Sequence, residues 1–301
     1  MKATTLSGHS NPIYSVTTHP NKNLFYTAGN DKGIVEWDSI TQQHNRIFNQ
    51  VKSTVYALAI VDELNLLLAG CNDGNILFFD LATTNLLETI AVNGAVFDLK
   101  LVSHKNEILA TTDSGQIVII NPEERKIIHQ FPSGNDKIRS IAYHKNLNFM
   151  ATVSNDELIR IYALDDYTFI TQFKGHENGV GAVAFSNDGK FLITGGRDAH
   201  LKVWNTNNWL GEHDFAAHLF AIYRIIIHPI LPFFATASRD KSIKIWRLED
   251  FSLYKKLSID KAQEGHLLSV NDICWSADGK ELFSVGDDKM VKIWEFETID
   301  F

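Results

Sequence analysis

The stretch "FSVGDDKMVKIW", Phe283–Trp294, holds a serine (Ser284), an acid (Asp288) and an indole (Trp294), and His266 lies upstream in "GHLLSV". A serine, a histidine and a carboxylate are the parts of a hydrolytic triad. They are equally the parts of a buried hydrogen-bond chain. An indole N–H only donates, a carboxylate only accepts, and a hydroxyl and an imidazole do both. Which reading applies depends on whether the set occurs once or recurs.

It recurs. Aligned on the acid, the chain gives Asp31, Asp73, Asp113, Asp156, Asp198, Asp240 and Asp288, separated by 42, 40, 43, 42, 42 and 48 residues. Six residues after each acid stands a large apolar side chain: Trp37, Phe79, Ile119, Tyr162, Trp204, Trp246 and Trp294. Four residues before it comes a small hydroxyl in most units: Thr27, Thr152, Thr194, Thr236 and Ser284. Ala69 replaces it in the second unit, and Thr111 is expected to fill it in the third. His9, His176, His218 and His266 each precede their acid by 22 residues. Four sets are therefore complete: His9, Thr27, Asp31, Trp37; His176, Thr194, Asp198, Trp204; His218, Thr236, Asp240, Trp246; and His266, Ser284, Asp288, Trp294. An enzyme seldom builds four identical sites, and three of these carry Thr where a nucleophilic Ser is wanted. The sets read as structural, with no catalytic residue.

Each unit begins with a β-branched or aromatic run such as "IYSVTTH", "VYALAIV" or "VNDICWS". A turn, an apolar run, the acid-bearing turn, the aromatic column and a last short run ("RIFNQV", "LYKKLSI") follow. Four strands at a period near 42, seven times over, predict an all-β fold: a seven-bladed β-propeller of four-stranded antiparallel blades. One propeller is expected to fill residues 1–301, with blades near 8–50, 51–91, 92–132, 133–174, 175–216, 217–260, and 261–301 plus 2–7.

The "GH" pairs at Gly8-His9, Gly175-His176 and Gly265-His266, and the endings "EWD" (36–38), "KVWN" (202–205), "KIWR" (244–247) and "KIWE" (292–295), resemble WD40 repeats. The similarity runs along essentially the whole chain, strong in units 1, 5, 6 and 7 and degenerate in 2, 3 and 4. Only Trp37-Asp38 is a literal WD pair. The resemblance implies that the His–Ser/Thr–Asp–Trp set is a buried tetrad. It also implies ring closure by residues 2–7 pairing beside 290–297, and a top face shared by the GH loop and the acid turn.

Two columns on that face differ between blades. At the channel mouth, five residues after the His position, stand Tyr14, Tyr56, Phe97, Arg139, Gly181, Tyr223 and Asn271. Immediately before each acid stand Asn30, Asn72, Thr112, Asn155, Arg197, Arg239 and Asp287. Tyr14, Tyr56, Phe97, Arg139, Arg197, Tyr223 and Arg239 are the candidate partner-binding residues, because Tyr and Arg are frequent interface anchors. A basic arc beside an aromatic arc suits a protein or peptide segment with acidic and apolar groups. The loop "IDKAQEGH" (259–266), which carries the extra length of the last period, is a second candidate. Units 2 to 4 lack the His; Val51, Ala91 or Val92, and Gly134 stand in its place.

Composition narrows the partners. A net charge of −8 disfavours non-specific nucleic-acid binding, which needs a basic face. The most apolar run, "IYRIIIHPILPFF", is broken by Arg224, His228 and two prolines and cannot span a membrane. Cys71 and Cys274 are far apart, so free thiols in a reducing, cytoplasmic setting are expected. His19, His104, His144 and His228 fall in different blades and read as turn residues. No zinc spacing, phosphate loop or carboxylate pair stands out, so no metal and no cofactor is expected. The reading is a monomeric, non-catalytic scaffold for a protein or peptide partner of unknown identity. Its alternatives are a hydrolase- or lactonase-like propeller enzyme using the central channel, and recognition of an anionic ligand or nucleic acid by the arginine arc.

Overall fold

The computed structural model describes residues 3–259 and 264–296. The alternating β-branched runs become strands whose inward side chains are buried, as at Ile13–Thr18, Val55–Val61 and Val270–Trp275. Seven four-stranded antiparallel sheets result. Their first strands stand side by side in a closed circle: Ile13–Thr18, Val55–Val61, Val96–Val102, Ile138–His144, Val180–Phe185, Ile222–Ile227, Val270–Trp275, and back to Ile13–Thr18. The chain is a seven-bladed propeller.

Closure follows from the edge that a three-stranded last blade would leave bare. Ala3–Ser7 pairs antiparallel with Met290–Trp294, from Ala3 opposite Trp294 to Ser7 opposite Met290. The first strand of the chain thus completes the seventh blade. Residues 2 and 297, included in the expected pairing, lie outside the described residues, as do 260–263 of the 259–266 loop.

Faces of neighbouring blades bury an apolar layer between them. Between blades 1 and 2 this layer includes Tyr26, Phe48, Leu67, Leu77 and Phe79, with Phe48 and Phe79 edge to face at 5.5 Å. Between blades 2 and 3 it is built from Leu66, Leu68, Phe78, Ile108, Val118 and Ile120.

The second and third strands of each blade meet in a tight hairpin. One residue in every turn has a positive φ: Lys32, Gly74, Gly115, Glu157, Ala199, Lys241 and Lys289. The residue before it is Asp31, Asp73, Asp156, Asp198, Asp240 or Asp288 in six blades, but Ser114 in the third. Strand register agrees. Phe25 faces Trp37, Leu67 faces Phe79 and Leu282 faces Trp294, and the matching pair in blade 3 is Ile108 with Ile120.

This corrects the count in the third unit. Ser114 stands where the other blades have the acid, Ala110 where they have the hydroxyl, and Ile120 where they have the aromatic. Asp113, not Thr112, is the residue immediately before the acid position there, which Ser114 occupies. Thr111, expected as the hydroxyl, pairs with Ile117, and its buried Oγ1 has no hydrogen-bond partner among the described residues. The count slipped because Asp113 was the only acid near the turn; the backbone follows the hairpin, not the charge.

Candidate functional site

Each complete His–Ser/Thr–Asp–Trp set is one continuous hydrogen-bond chain. In blade 7, Trp294 Nε1 donates to Ser284 Oγ at 2.8 Å, and Ser284 bonds His266 Nε2 at 2.8 Å. His266 Nδ1 then meets Asp288 at 2.9 Å. Blade 1 repeats this with Trp37–Thr27, Thr27–His9 and His9–Asp31 all at 2.7 Å. Blade 5 links Trp204, Thr194, His176 and Asp198 at 2.9, 2.8 and 3.0 Å. Blade 6 links Trp246, Thr236, His218 and Asp240 at 3.0, 2.7 and 2.9 Å. A neutral imidazole that donates from Nδ1 and accepts at Nε2 gives every member a partner. Each carboxylate also accepts the backbone N–H of the residue after its histidine: Ser10, Glu177, Leu219 and Leu267.

The pKa directions fit this arrangement. Burial works against the charge on Asp288, but the His266 ring and the N–H groups of Leu267 and Met290 outweigh it and hold the carboxyl below its usual range. Asp240 is held lower still by His218 and Ser242, despite its burial. Burial pushes His218 below its ordinary value, and Asp240 offsets this only in part.

Blades 2 and 3 have no such chain, with Val51 and Val92 at the histidine position by register. Blade 4 builds a substitute. Tyr162 Oη donates to Ser133 Oγ at 2.7 Å, and Ser133 bonds Thr152 at 2.9 Å. Asp156 pairs instead with Arg160 at 2.6 Å. Ser133, next to Gly134, was missed in the sequence; the signal was the Tyr162 hydroxyl, which needs an acceptor once buried.

The candidate binding residues gather around the channel mouth, at a basin of about 540 Å³. Tyr14 packs on Tyr56 with ring centroids 5.4 Å apart, and Tyr56 on Phe97 at 5.4 Å. The Arg139 guanidinium caps this stack 4.6 Å from the Phe97 ring, and its Nε donates to Asn155 Oδ1 at 3.0 Å. Tyr223 stands apart from the stack, between Gly181 and Asn271. Asn271 Nδ2 donates to Asp287 and to the Ile13 carbonyl. Arg197 and Tyr223 line the same basin, while Arg239 sits outside it, 5.9 Å over the ring of Phe220. None of Arg139, Arg197 and Arg239 forms an ion pair with a carboxylate among the described residues. Burial, and then the nearby Arg197 charge, push Arg139 below its ordinary value.

Beneath the mouth the channel narrows to about 70 Å³ over a buried ionic cluster. Arg224 of blade 6 reaches Asp272 of blade 7 at 3.0 Å and Asp98 of blade 3 at 3.2 Å. Asp98 also accepts from Ser140 Oγ and the Ile141 N–H, and Asp272 from the Val16 N–H. Burial raises Asp272 above its usual value despite Arg224. Asp98 is equally buried, yet Arg224 and Lys100 hold it below. In the sequence Arg224 had registered only as a break in an apolar run.

The top-face loops hold one further difference. After the tetrad histidine, blades 1 and 5 carry Ser10-Asn11 and Glu177-Asn178, whereas blades 6 and 7 carry Leu219-Phe220 and Leu267-Leu268. These four apolar side chains are 80%, 56%, 60% and 47% exposed. Sequence reasoning passed over them, although "AHLF" and "GHLL" stand beside "GHSN" and "GHEN".

His19, His104, His144 and His228 lie at the ends of four different first strands and do not converge. Among the described residues, no three His, Cys, Asp or Glu side chains stand close enough to hold a metal ion. Cys71 and Cys274 are free thiols. Among the described residues, no helix is long and apolar enough to cross a membrane.

A sequence model described as "WD domain, G-beta repeat" matches residues 2–38, 125–163, 167–205, 212–247 and 258–295, more than half of the chain. Its matches leave out most of blades 2 and 3. Among curated proteins, a striatin homolog of Dictyostelium discoideum is 22% identical over 182 aligned positions, covering 55% of this chain and 22% of its own length. The human echinoderm microtubule-associated protein-like 3 is 23% identical over 159 positions, covering 53% of this chain and 13% of its own length. A periodic tryptophan protein 2 homolog of Neurospora crassa is 23% identical over 172 positions, covering 51% and 19%. The chain thus matches less than a quarter of the length of each of these relatives.

Proposed function

The chain belongs to the WD40 family, and on that premise we propose that it is a non-catalytic platform whose top face and channel mouth engage a protein or peptide partner. The observation that carries this reading is the mouth itself. An aromatic stack with Arg139 and Arg197 surrounds an open basin, and Arg239 stands beside it. None of the three arginines is ion-paired to a carboxylate among the described residues, and such side chains dominate binding energy at interfaces. The tetrads belong to the framework, since each side chain in them is hydrogen-bonded to the next within its own blade. The acids of the channel are likewise committed: Asp98 and Asp272 are both ion-paired to Arg224 and hydrogen-bonded to neighbouring blades. The same reading places the protein inside the cell, consistent with its free thiols, and has it act as a monomer.

The test is affinity capture from a cell extract with wild type and with a Tyr14→Ala/Tyr56→Ala/Arg239→Ala variant. A partner held by wild type and lost from the variant is the expected result. Equal recovery of every partner would remove the mouth from consideration. Stoichiometric calcium or zinc in the purified protein would count against a purely non-catalytic platform.

A further inference from the structure

The Leu219-Phe220 and Leu267-Leu268 pairs have no structural reason to be apolar. Their loops are anchored as those of blades 1 and 5 are, by the N–H of the residue after the histidine donating to the tetrad carboxylate. Polar residues serve in that anchor at Ser10 and Glu177. The four apolar side chains therefore remain in water at a cost, on two adjacent blades of one face. Exposed apolar patches rimmed by polar groups mark interaction sites.

The rim here is basic on one side. Arg239 lies over Phe220, and Arg197 follows on blade 5. Both side chains are exposed, and neither has an ion-pair or hydrogen-bond partner among the described residues. Arg139 and Tyr223 continue the arc into the mouth. Tyr223 sits in the joint field of Arg239, Arg197 and Arg139, although burial still raises it above its ordinary value.

Resting on the platform reading above, we infer that this surface takes a peptide segment that is both acidic and apolar: a carboxylate settles among Arg139, Arg197 and Arg239, and neighbouring apolar side chains cover the Leu219-Phe220 and Leu267-Leu268 pairs. Charge complementarity selects the acid, because the arginines lack counter-ions of their own. The leucines select against nucleic acid, since they offer a phosphate backbone nothing. The chain's net charge of −8 opposes polyanions as well.

Random twelve-residue peptides displayed on phage and panned against the intact chain test this directly. Selected sequences are expected to combine Asp or Glu with Leu, Phe or Met. Synthetic copies are expected to bind at least about tenfold more weakly to a Leu219→Ser/Leu267→Ser variant. The same loss is expected for Arg197→Glu/Arg239→Glu, together with a flatter salt dependence of the remaining affinity. All four substituted residues are exposed, so unchanged melting curves establish that both variants fold.

Selected peptides that are basic or uncharged, affinities unmoved by the leucine variant, no selected peptide at all, or tighter binding of oligo(dT) than of any peptide would each overturn the inference. Its failure is separable from that of the platform reading. Basic peptides together with partners lost from the Tyr14/Tyr56/Arg239 variant would sink the inference and leave the platform standing. Acidic–apolar peptides together with equal recovery of partners would do the reverse.

Discussion

Blade 7 and blade 2 share four strands, the same hairpin register and a positive-φ turn, yet they fill the space around the third strand with opposite chemistry. In blade 7 that space holds Trp294, Ser284, His266 and Asp288, each bonded to the next. In blade 2 it holds Phe79, Ala69 and Val51, packed with Phe48 and Tyr26 of blade 1. The backbone site is therefore compatible with a polar chain or an apolar plug, provided that the filling is complete. A half-built version is the poor solution, because a buried polar group that loses its partner carries its full desolvation cost. Blade 4 lies between the two, with Ser133 joining Thr152 to Tyr162 and no histidine.

The largest effect is expected where blade 7 differs most from blade 2, in needing both ends of the chain. Deleting residues 1–7 removes the strand Ala3–Ser7 together with the buried Leu6 and leaves Met290–Trp294 as an open edge. Loss of cooperative unfolding, or a melting temperature lower by more than 10 °C (about 6 kcal/mol at this size), is expected in a calorimeter. A deletion variant that melts like wild type would mean that the ring does not depend on this strand.

Reciprocal substitutions address the contrast in filling. Ser284→Ala leaves Trp294 Nε1 and His266 Nε2 buried without their shared partner and is expected to cost about 1–3 kcal/mol in chemical denaturation. Ala69→Ser puts a hydroxyl beside Phe79, where nothing receives it, and is expected to destabilise by a similar amount. If Ala69→Ser were stabilising, the two fillings would not be separate solutions.

The smallest effect is on pH dependence. The folded protein holds His218 below its ordinary value of 6.5. As pH falls below 6.5 the unfolded chain takes up a proton that folded His218 does not, so stability declines from pH 7 toward pH 5. Buried His19 and His228, also held low, act in the same direction. The carboxylates Asp31, Asp198, Asp240 and Asp288 are depressed, so their contribution is intact in this window and is lost only below about pH 4. A His218→Asn variant is expected to show a shallower slope between pH 7 and 5, by a fraction of 1 kcal/mol per pH unit. An unchanged slope would remove His218 as its source. Blade 2 contains no histidine and adds nothing to it.

Much of this was legible in one dimension. Four strands per unit, seven units and the four tetrads follow from residues at fixed offsets, because each blade is a local structure whose members lie within about one period of one another. Thr27 and Trp37 are 10 residues apart and His9 and Asp31 are 22, so the spacing alone brings them to one hairpin and its preceding loop. Counting failed where a unit kept its backbone but not its markers. In blade 3 the acid had drifted to Asp113, and only strand pairing shows Ser114 at the turn.

The periodic sequence by itself determined the propeller and its blade number, and its resemblance to WD40 repeats implied the closing role of the first strand and the internal chains of blades 1, 5, 6 and 7. Tertiary structure alone decided what meets across the ring. Arg224 and Asp98 are 126 residues apart, and Val16 and Asp272 are 256 apart; these pairs exist only once the circle has closed. The continuity of Tyr14, Tyr56, Phe97 and Arg139 as one stack, and the placing of Leu219 and Leu267 on adjacent blades of one face, have the same origin. Side-chain type within a repeat is set locally, whereas the neighbour it meets is set by closure of the ring.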